Sequence, residues 1–246
     1  MRASAPVAIA AFVLVSMLDL AGSPLRADYV MGPAEVNASL KKMARARTSL
    51  REGAAGSVRA EALLSLAAEA EDLTAMINAE LAAHGFDQRP LIDLAVQRSA
   101  ELGVRIYLDA STQGYAYDRA ALVEYLELQP HGPKAAEARF LVLERAFGER
   151  DPTDEAALTK LVREAGALRA IDGDMACELD YFVAMSYMNL SQLEARRGRE
   201  TSVSLRAKAT KVFGQISKNC PYTPEATLSR RALLRMSGGT PGSRQP

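Results

Sequence analysis

The sequence predicts an all-α protein of stacked antiparallel helical hairpins, with one small β-hairpin near residues 104–117. Alanine, the residue with the highest helix propensity, is abundant, whereas aromatic residues make up only 6% and Trp is absent. Apolar residues recur at spacings of three and four along several segments, as in amphipathic helices. Breaks that contain proline or glycine separate these segments, and short breaks favour antiparallel neighbours.

Composition and charge narrow the functional classes. Of the 246 residues, 48% are hydrophobic and 24% are charged, which is the composition of an ordinary globular protein rather than a disordered one. The 30 basic and 30 acidic residues give a formal net charge of +0. Because proteins that bind nucleic acids usually carry a basic excess, we expect no nucleic-acid partner.

Residues 1–27 have the layout of a secretory signal peptide. Arg2 gives a short positive region, an apolar run follows from about residue 5 to 18, and Ala27 is a small residue suited to cleavage. We therefore predict export across the inner membrane, to the periplasm. The apolar run is shorter than the roughly 20 residues that a spanning helix needs, so no transmembrane span is expected after cleavage. A retained anchor and a buried helix are the alternatives.

The region 28–117 is predicted to be helical up to the β-hairpin. We expect three helices, with these approximate bounds: 33–53, 58–84 and 90–103. The second carries an apolar stripe at spacings of three and four: Leu63, Leu66, Ala70, Leu73 and Ile77. Gly85 is expected to end this helix, because glycine readily adopts positive φ.

Residues 104–117 are predicted to form the β-hairpin. Residues 104–108 alternate and are rich in β-forming side chains, 109–114 are rich in turn formers, and 115–117 supply the second strand. The preceding helix and this hairpin resemble the wing of winged-helix DNA-binding domains, although export argues against contact with DNA. An isolated two-stranded hairpin is only marginally stable, so we expect it to pack on neighbouring helices.

The region 118–237 is predicted to contain helical hairpins separated by two proline breaks. The first helix is expected to begin at Asp118, whose carboxylate suits an N-cap, and to end at Pro130. Pro133 suits the first turn of the next helix. Further helices are expected to start near these positions: Asp151, Asp174, Ser202 and Pro224. Residues 238–246 are expected to form a flexible tail.

The second half of the chain resembles tetratricopeptide repeats. Ala209, Phe213 and Pro221 have the spacing that closes such a repeat, and Pro224 completes the break after it. Residues 125–138 are similar to repeats of periplasmic tetratricopeptide proteins, which include the helical lipoprotein of the outer-membrane barrel-assembly machinery and the coordinator of the Tol system.

The earlier proline break, Pro130 and Pro133, belongs to this same resemblance. Stacked repeats form an extended concave surface. The resemblance therefore implies a groove between stacked hairpins that takes a protein or peptide partner.

Cys177 and Cys220 are predicted to form a disulfide. Cys177 lies 22 residues before the turn at Arg199 and Cys220 lies 21 residues after it, so an antiparallel hairpin places them side by side. An exported chain meets an oxidising compartment, where such a pair is stable. Two buried thiols are the alternative.

The sequence predicts no catalytic, cofactor-binding or metal-binding residues. The two histidines, His84 and His131, lie at a helix end and in a proline break, where capping or loop roles are expected. Asp172 and Asp174 flank a glycine, but the full spaced calcium loop is lacking, so we expect helix capping. Motifs for zinc proteases, phosphate binding and serine hydrolases are absent from the sequence.

The sequence thus predicts an exported, non-enzymatic protein-interaction scaffold with tetratricopeptide-like repeats in the bacterial cell envelope. An accessory subunit of an envelope assembly or transport complex is one alternative. An enzyme whose site assembles from scattered carboxylates is another, and it would require a deep pocket with convergent titratable groups. Lectin-like binding, lipid binding and peptidoglycan binding are further alternatives.

Overall fold

The computed structural model describes residues 31–52, 56–85, 89–109, 112–171, 173 and 175–238. The predicted signal peptide lies outside these residues, as does the predicted tail apart from Gly238. The described elements follow one another in this order: α1 (Pro33–Arg51), α2 (Gly56–His84), α3 (Arg89–Glu101), β1 (Ile106–Asp109), β2 (Gly114–Tyr117), α4 (Ala120–Leu128), α5 (Ala135–Gly148), α6 (Glu155–Arg169), α7 (Ala176–Arg196), α8 (Thr201–Asn219) and α9 (Pro224–Met236). The predicted mostly helical class with one small β-hairpin is confirmed.

Contacts between Cα atoms divide the chain into two compact units. The first comprises the described residues of Met1–Met43 and Glu69–Asp118, and the second those of Ala44–Ala68 and Arg119–Pro246. The long helices α1 and α2 therefore contribute to both units. Across the helices that the structure describes, none is both long and apolar enough to cross a membrane.

The β-hairpin of the first unit is held by one side chain of α2. Strands β1 and β2 are antiparallel, with Leu108 opposite Tyr115. The Asn78 amide donates a hydrogen bond from Nδ2 to the Tyr115 carbonyl over 2.8 Å. Its Oδ1 accepts a second hydrogen bond from the Tyr115 N–H over 2.6 Å. Asn78 thus satisfies both backbone groups of Tyr115 as a neighbouring strand would, which confirms that the hairpin packs on a helix.

Replacing Asn78 with leucine is expected to lower the free energy of unfolding by about 2 kcal/mol, because both backbone groups of Tyr115 lose their partner. Urea denaturation measures the loss, and hydrogen exchange at the Tyr115 amide is expected to accelerate. Asn37→Leu, at an exposed position of α1, is the matched control. Equal stability of the two variants would contradict the bridging role of Asn78.

In the second unit, consecutive helices pack against one another from α4 to α9, and α7 contacts α6, α8 and α9. Leu158 of α6 packs with Leu190 and Leu193 of α7, and Leu205 of α8 lies against this cluster. The central position of α7 agrees with its sequence, because a helix with apolar residues around most of its girth is packed between others.

Helices α4 to α7 of the second unit each begin later than the sequence predicts. Helix α4 begins at Ala120, and its N-cap residue is Arg119, at a φ of 57°, rather than Asp118. Helix α5 begins at Ala135, and Pro133 lies in the turn before it rather than in its first turn. The N-cap of α6 is Asp154, whose carboxylate accepts from the Ala157 N–H. The propensity of a residue type for helix starts does not decide which of several adjacent candidates becomes the cap.

Candidate functional site

The predicted repeat residues of the C-terminal half lie in the core and in the turn that follows it. Ala209 and Phe213 of α8 are fully buried. Pro221 follows the end of α8, and Pro224 is the first residue of α9, where a missing N–H costs no hydrogen bond. The Thr223 hydroxyl accepts a hydrogen bond from the Ala226 N–H over 3.3 Å and so caps α9.

Pro130 and Pro133 lie in the turn between α4 and α5, which closes around Tyr125. The Tyr125 hydroxyl accepts a hydrogen bond from the Lys134 N–H over 3.3 Å. A Cβ atom at Gly132 would lie 2.7 Å from the Tyr125 Oη atom, so only glycine fits there without displacing that buried ring. Both proline pairs therefore lie at turns between helices, and a proline side chain carries no titratable or nucleophilic group.

The predicted disulfide between Cys177 and Cys220 is present. The two sulfur atoms are 2.04 Å apart and the Cα atoms 6.3 Å apart, across a sequence separation of 43. Cys177 lies in the first turn of α7, and Cys220 is the C-cap of α8. The bond therefore joins the ends of the α7–α8 hairpin that lie away from its turn.

A buried carboxylate fixes the turn end of the same hairpin. Glu194 is only 8% exposed. It accepts hydrogen bonds from the Thr201 hydroxyl over 2.6 Å and from Arg197 and Arg199 over 3.1 Å each. The Thr201 hydrogen bond, followed by those from Arg197 and Arg199, lowers the pKa of Glu194 below its ordinary value of 4.5. Glu194 was not singled out in the sequence, although it precedes Arg197 by three positions, a spacing that favours ion pairs, and Arg199 by five.

Glu194→Gln is expected to be less stable than the wild type at pH 7, because a neutral amide accepts weaker hydrogen bonds from two arginines. A lowered pKa stabilises the fold above the ordinary value of 4.5, and that contribution is lost as the pH falls through the folded-state value. The difference between variant and wild type is therefore expected to disappear in acid. Thermal unfolding across this pH range checks it.

Glu127→Gln, at an exposed position of α4, is the control for this pH series. An E194Q deficit that is as large in acid as at neutral pH would contradict the electrostatic explanation.

An aromatic cluster joins α5, α7 and α8. The rings of Phe147 and Phe182 stack with centroids 4.2 Å apart. Tyr181 contacts both Phe147 and Phe213, at 6.1 Å in each case. Phe213, singled out in the sequence as a repeat residue, therefore belongs to the hydrophobic centre of this unit.

Charged groups border the aromatic cluster. The Arg150 guanidinium lies 3.6 Å from the centroid of Phe147, and burial lowers its pKa to about 10. Burial raises the pKa of Tyr181 to about 12. Burial, then the nearby carboxylates of Glu225 and Glu144, raises the pKa of Glu178. At neutral pH Arg150 therefore stays charged and Tyr181 stays protonated.

Four other titratable residues were singled out in the sequence: His84, His131, Asp172 and Asp174. His84 ends α2, with its Nδ1 2.9 Å from the Glu80 carboxylate. His131 lies exposed in the proline turn, and Asp172 and Asp174 lie outside the described residues. Within the described ranges, no three His, Cys, Asp or Glu side chains are grouped so that they could hold a metal ion.

An open groove of about 560 Å³ lies between α8 and α9. Arg206 and Thr210 of α8 line one side, and α9 supplies the rest, including Leu233, Leu234 and Met236. Leu234 is 54% exposed. An exposed apolar lining beside charged side chains is a feature of interaction sites. We call this site the α8–α9 groove.

The helices that form the α8–α9 groove are strongly basic. Residues 201–237 contain a single carboxylate, Glu225, and seven cations: Arg206, Lys208, Lys211, Lys218, Arg230, Arg231 and Arg235. Within the described part of the chain, none of the seven is in an ion pair, whereas Arg169, Arg197 and Arg199 farther upstream are paired. The sequence analysis missed this local excess because it considered the net charge of the whole chain.

Comparison with known proteins finds no matching family model, no matching curated protein and no matching solved structure. The proposed function is therefore inferred from the residues of this chain alone.

Proposed function

We propose that the protein is an exported scaffold for protein–protein interaction in the bacterial cell envelope. The observation that carries this proposal is the α8–α9 groove, where the exposed Leu234 lies beside Arg206 and Arg230, which form no ion pair with any residue that the structure describes. The Cys177–Cys220 disulfide supports an oxidising compartment such as the periplasm.

The finer proposal is a tetratricopeptide-like arrangement of the helical hairpins. Consecutive packing from α4 to α9 supports it, as does the position of Ala209 and Phe213 inside the core with Pro221 in the following turn. In such arrays each hairpin buries its apolar face against its neighbours, and surfaces that remain open are available to partners. This provides the chain with a rigid support for the α8–α9 groove.

The test is chemical crosslinking of a tagged chain in cells, followed by purification from the envelope fraction and mass spectrometry. One dominant envelope protein, captured at a near-constant ratio, is expected. If the captured protein and the tagged chain stay together at that ratio during gel filtration, the accessory-subunit alternative would be favoured. Recovery of only monomer, with no protein above the level of a tag-only control, would contradict the scaffold proposal.

A further inference from the structure

We propose that the α8–α9 groove binds an acidic amphipathic segment of a partner protein. Aliphatic side chains of the segment would contact Leu233, Leu234 and Met236, and its carboxylates would pair with Arg206 and Arg230. This inference rests on the proposed scaffold function and specifies its binding site and the chemistry of its partner.

The groove is formed by a second, outward face of both helices. In α8, Arg206 and Thr210 line it, while Ala209 points into the core and is fully buried. In α9, Arg230, Leu233 and Leu234 recur at i, i+3 and i+4, whereas Ala226 and Ser229 are fully buried. Since the buried residues already attach α9 to the fold, the exposed Leu234 is available to another segment, with the half-buried Leu233 beside it.

The apolar lining of the groove comes from α9. Leu233, Leu234 and Met236 supply it, and Arg206 and Thr210 of α8 face them across the groove. A helical segment with apolar residues every three or four positions fits such a groove, as in other helix-in-groove complexes.

The positive charge of the groove favours a negatively charged partner segment. Arg206 donates a hydrogen bond to the Met236 carbonyl, and Arg230 donates one to the Thr227 hydroxyl over 3.2 Å. Each guanidinium has five N–H donors, so each keeps free donors for a carboxylate. Because residues 201–237 hold seven cations and one carboxylate, an acidic partner is attracted and a basic one is repelled.

The positive charge of the groove argues against binding of this chain's own C-terminal residues and against binding of a second copy of the chain. Residues 239–246 contain Arg244 and no large aliphatic or aromatic side chain, so they match neither the sign nor the apolar lining of the groove. A second copy meeting the groove through the same face would bring two basic surfaces together, which is unfavourable. A flat anionic bilayer and a nucleic acid satisfy the charge but do not fill an apolar groove.

The test is a fluorescence-anisotropy titration of a labelled model peptide with the full-length mature protein. The peptide has leucine every three or four positions and glutamate at most others, so it matches the proposed chemistry. We expect saturable binding that weakens as NaCl rises from about 0.05 M to about 0.5 M. A peptide with lysine in place of glutamate, and one with serine in place of leucine, are expected to bind at least about tenfold more weakly.

Two double variants locate the binding site. Arg230→Glu with Leu234→Glu reverses charge and removes apolar surface within the groove, and we expect it to weaken binding by about tenfold or more. Arg163→Glu with Ile171→Glu makes the same changes at exposed positions outside the groove, where Arg163 is 74% and Ile171 is 66% exposed. This control is expected to bind within about twofold of the wild type.

Three results would overturn the proposal. They are equal binding by both double variants, no binding of the glutamate–leucine peptide, and tighter binding of phosphatidylglycerol vesicles or of oligothymidylate than of the peptide. The crosslinking experiment distinguishes this failure from failure of the scaffold function. If R230E/L234E still captures the partner at the wild-type level, the scaffold function stands and the groove assignment is wrong.

Discussion

Phe213→Ala is expected to lower the free energy of unfolding by about 4 kcal/mol, the largest effect of any single substitution considered. Phe213 is fully buried, and its ring lies 6.1 Å from that of Tyr181. Truncation removes a large apolar side chain and leaves a cavity between α7 and α8, which a close-packed core fills only partly. Urea denaturation at neutral pH, monitored by circular dichroism, measures the loss.

Val203→Ala on the same helix is the matched control for this substitution. Val203 is 72% exposed, so its truncation is expected to change stability by less than about 0.5 kcal/mol. A loss below about 1 kcal/mol for F213A would mean that α8 does not pack as the structure has it.

Removing the disulfide has the second large expected effect. Replacing both Cys177 and Cys220 with alanine is expected to cost about 4 kcal/mol, because the bond closes a loop of 43 residues in the unfolded chain. Denaturation of the double variant, compared with the oxidised wild type, measures this difference. The α7–α8 hairpin would then be held by packing and by hydrogen bonds such as those of Glu194.

Reduction of the wild type supplies the control. A reductant is expected to bring the wild type to the stability of the C177A/C220A variant, and to leave that variant unchanged. Two free thiols in protein purified without reductant, or a double variant as stable as the wild type, would contradict a structural disulfide.

The sequence predicted those features that depend on local pattern. The spacing of apolar residues predicted the helices to within a few positions. Alternation predicted the first strand of the β-hairpin over residues 104–108, and β1 lies at Ile106–Asp109. Counting residues on either side of the turn near Arg199 paired Cys177 with Cys220, because the two arms of an antiparallel hairpin have equal rise per residue.

The features that the sequence did not predict depend on contacts between distant residues. Asn78 contacts Tyr115 across 37 positions, and no local pattern indicates that an amide of α2 completes the β-hairpin. The leucines at positions 233 and 234 resemble core residues in the sequence. Only the packing of α9 shows that Ala226 and Ser229 are buried and that Leu234 is left exposed.

The helix starts were predicted less accurately for a related reason. Asp118, Asp151 and Asp154 are all chemically suited to cap a helix, yet only Asp154 does so at an N-cap position. The Asp151 carboxylate instead accepts hydrogen bonds from the Thr153 N–H over 2.7 Å and from the Thr153 hydroxyl over 2.6 Å. The residue type alone therefore does not determine which of several nearby aspartates caps the helix.

Site-specific photo-crosslinking in cells tests the central claim most directly. A photoreactive phenylalanine analogue would replace Leu234 in the α8–α9 groove in one strain and Ile171, a comparably exposed aliphatic residue, in another. We predict one dominant crosslinked envelope protein from position 234, carrying an acidic amphipathic segment at the site of attachment, and no such product from position 171. The same products from both positions, or none from position 234, would contradict an interaction scaffold that binds its partner through this groove.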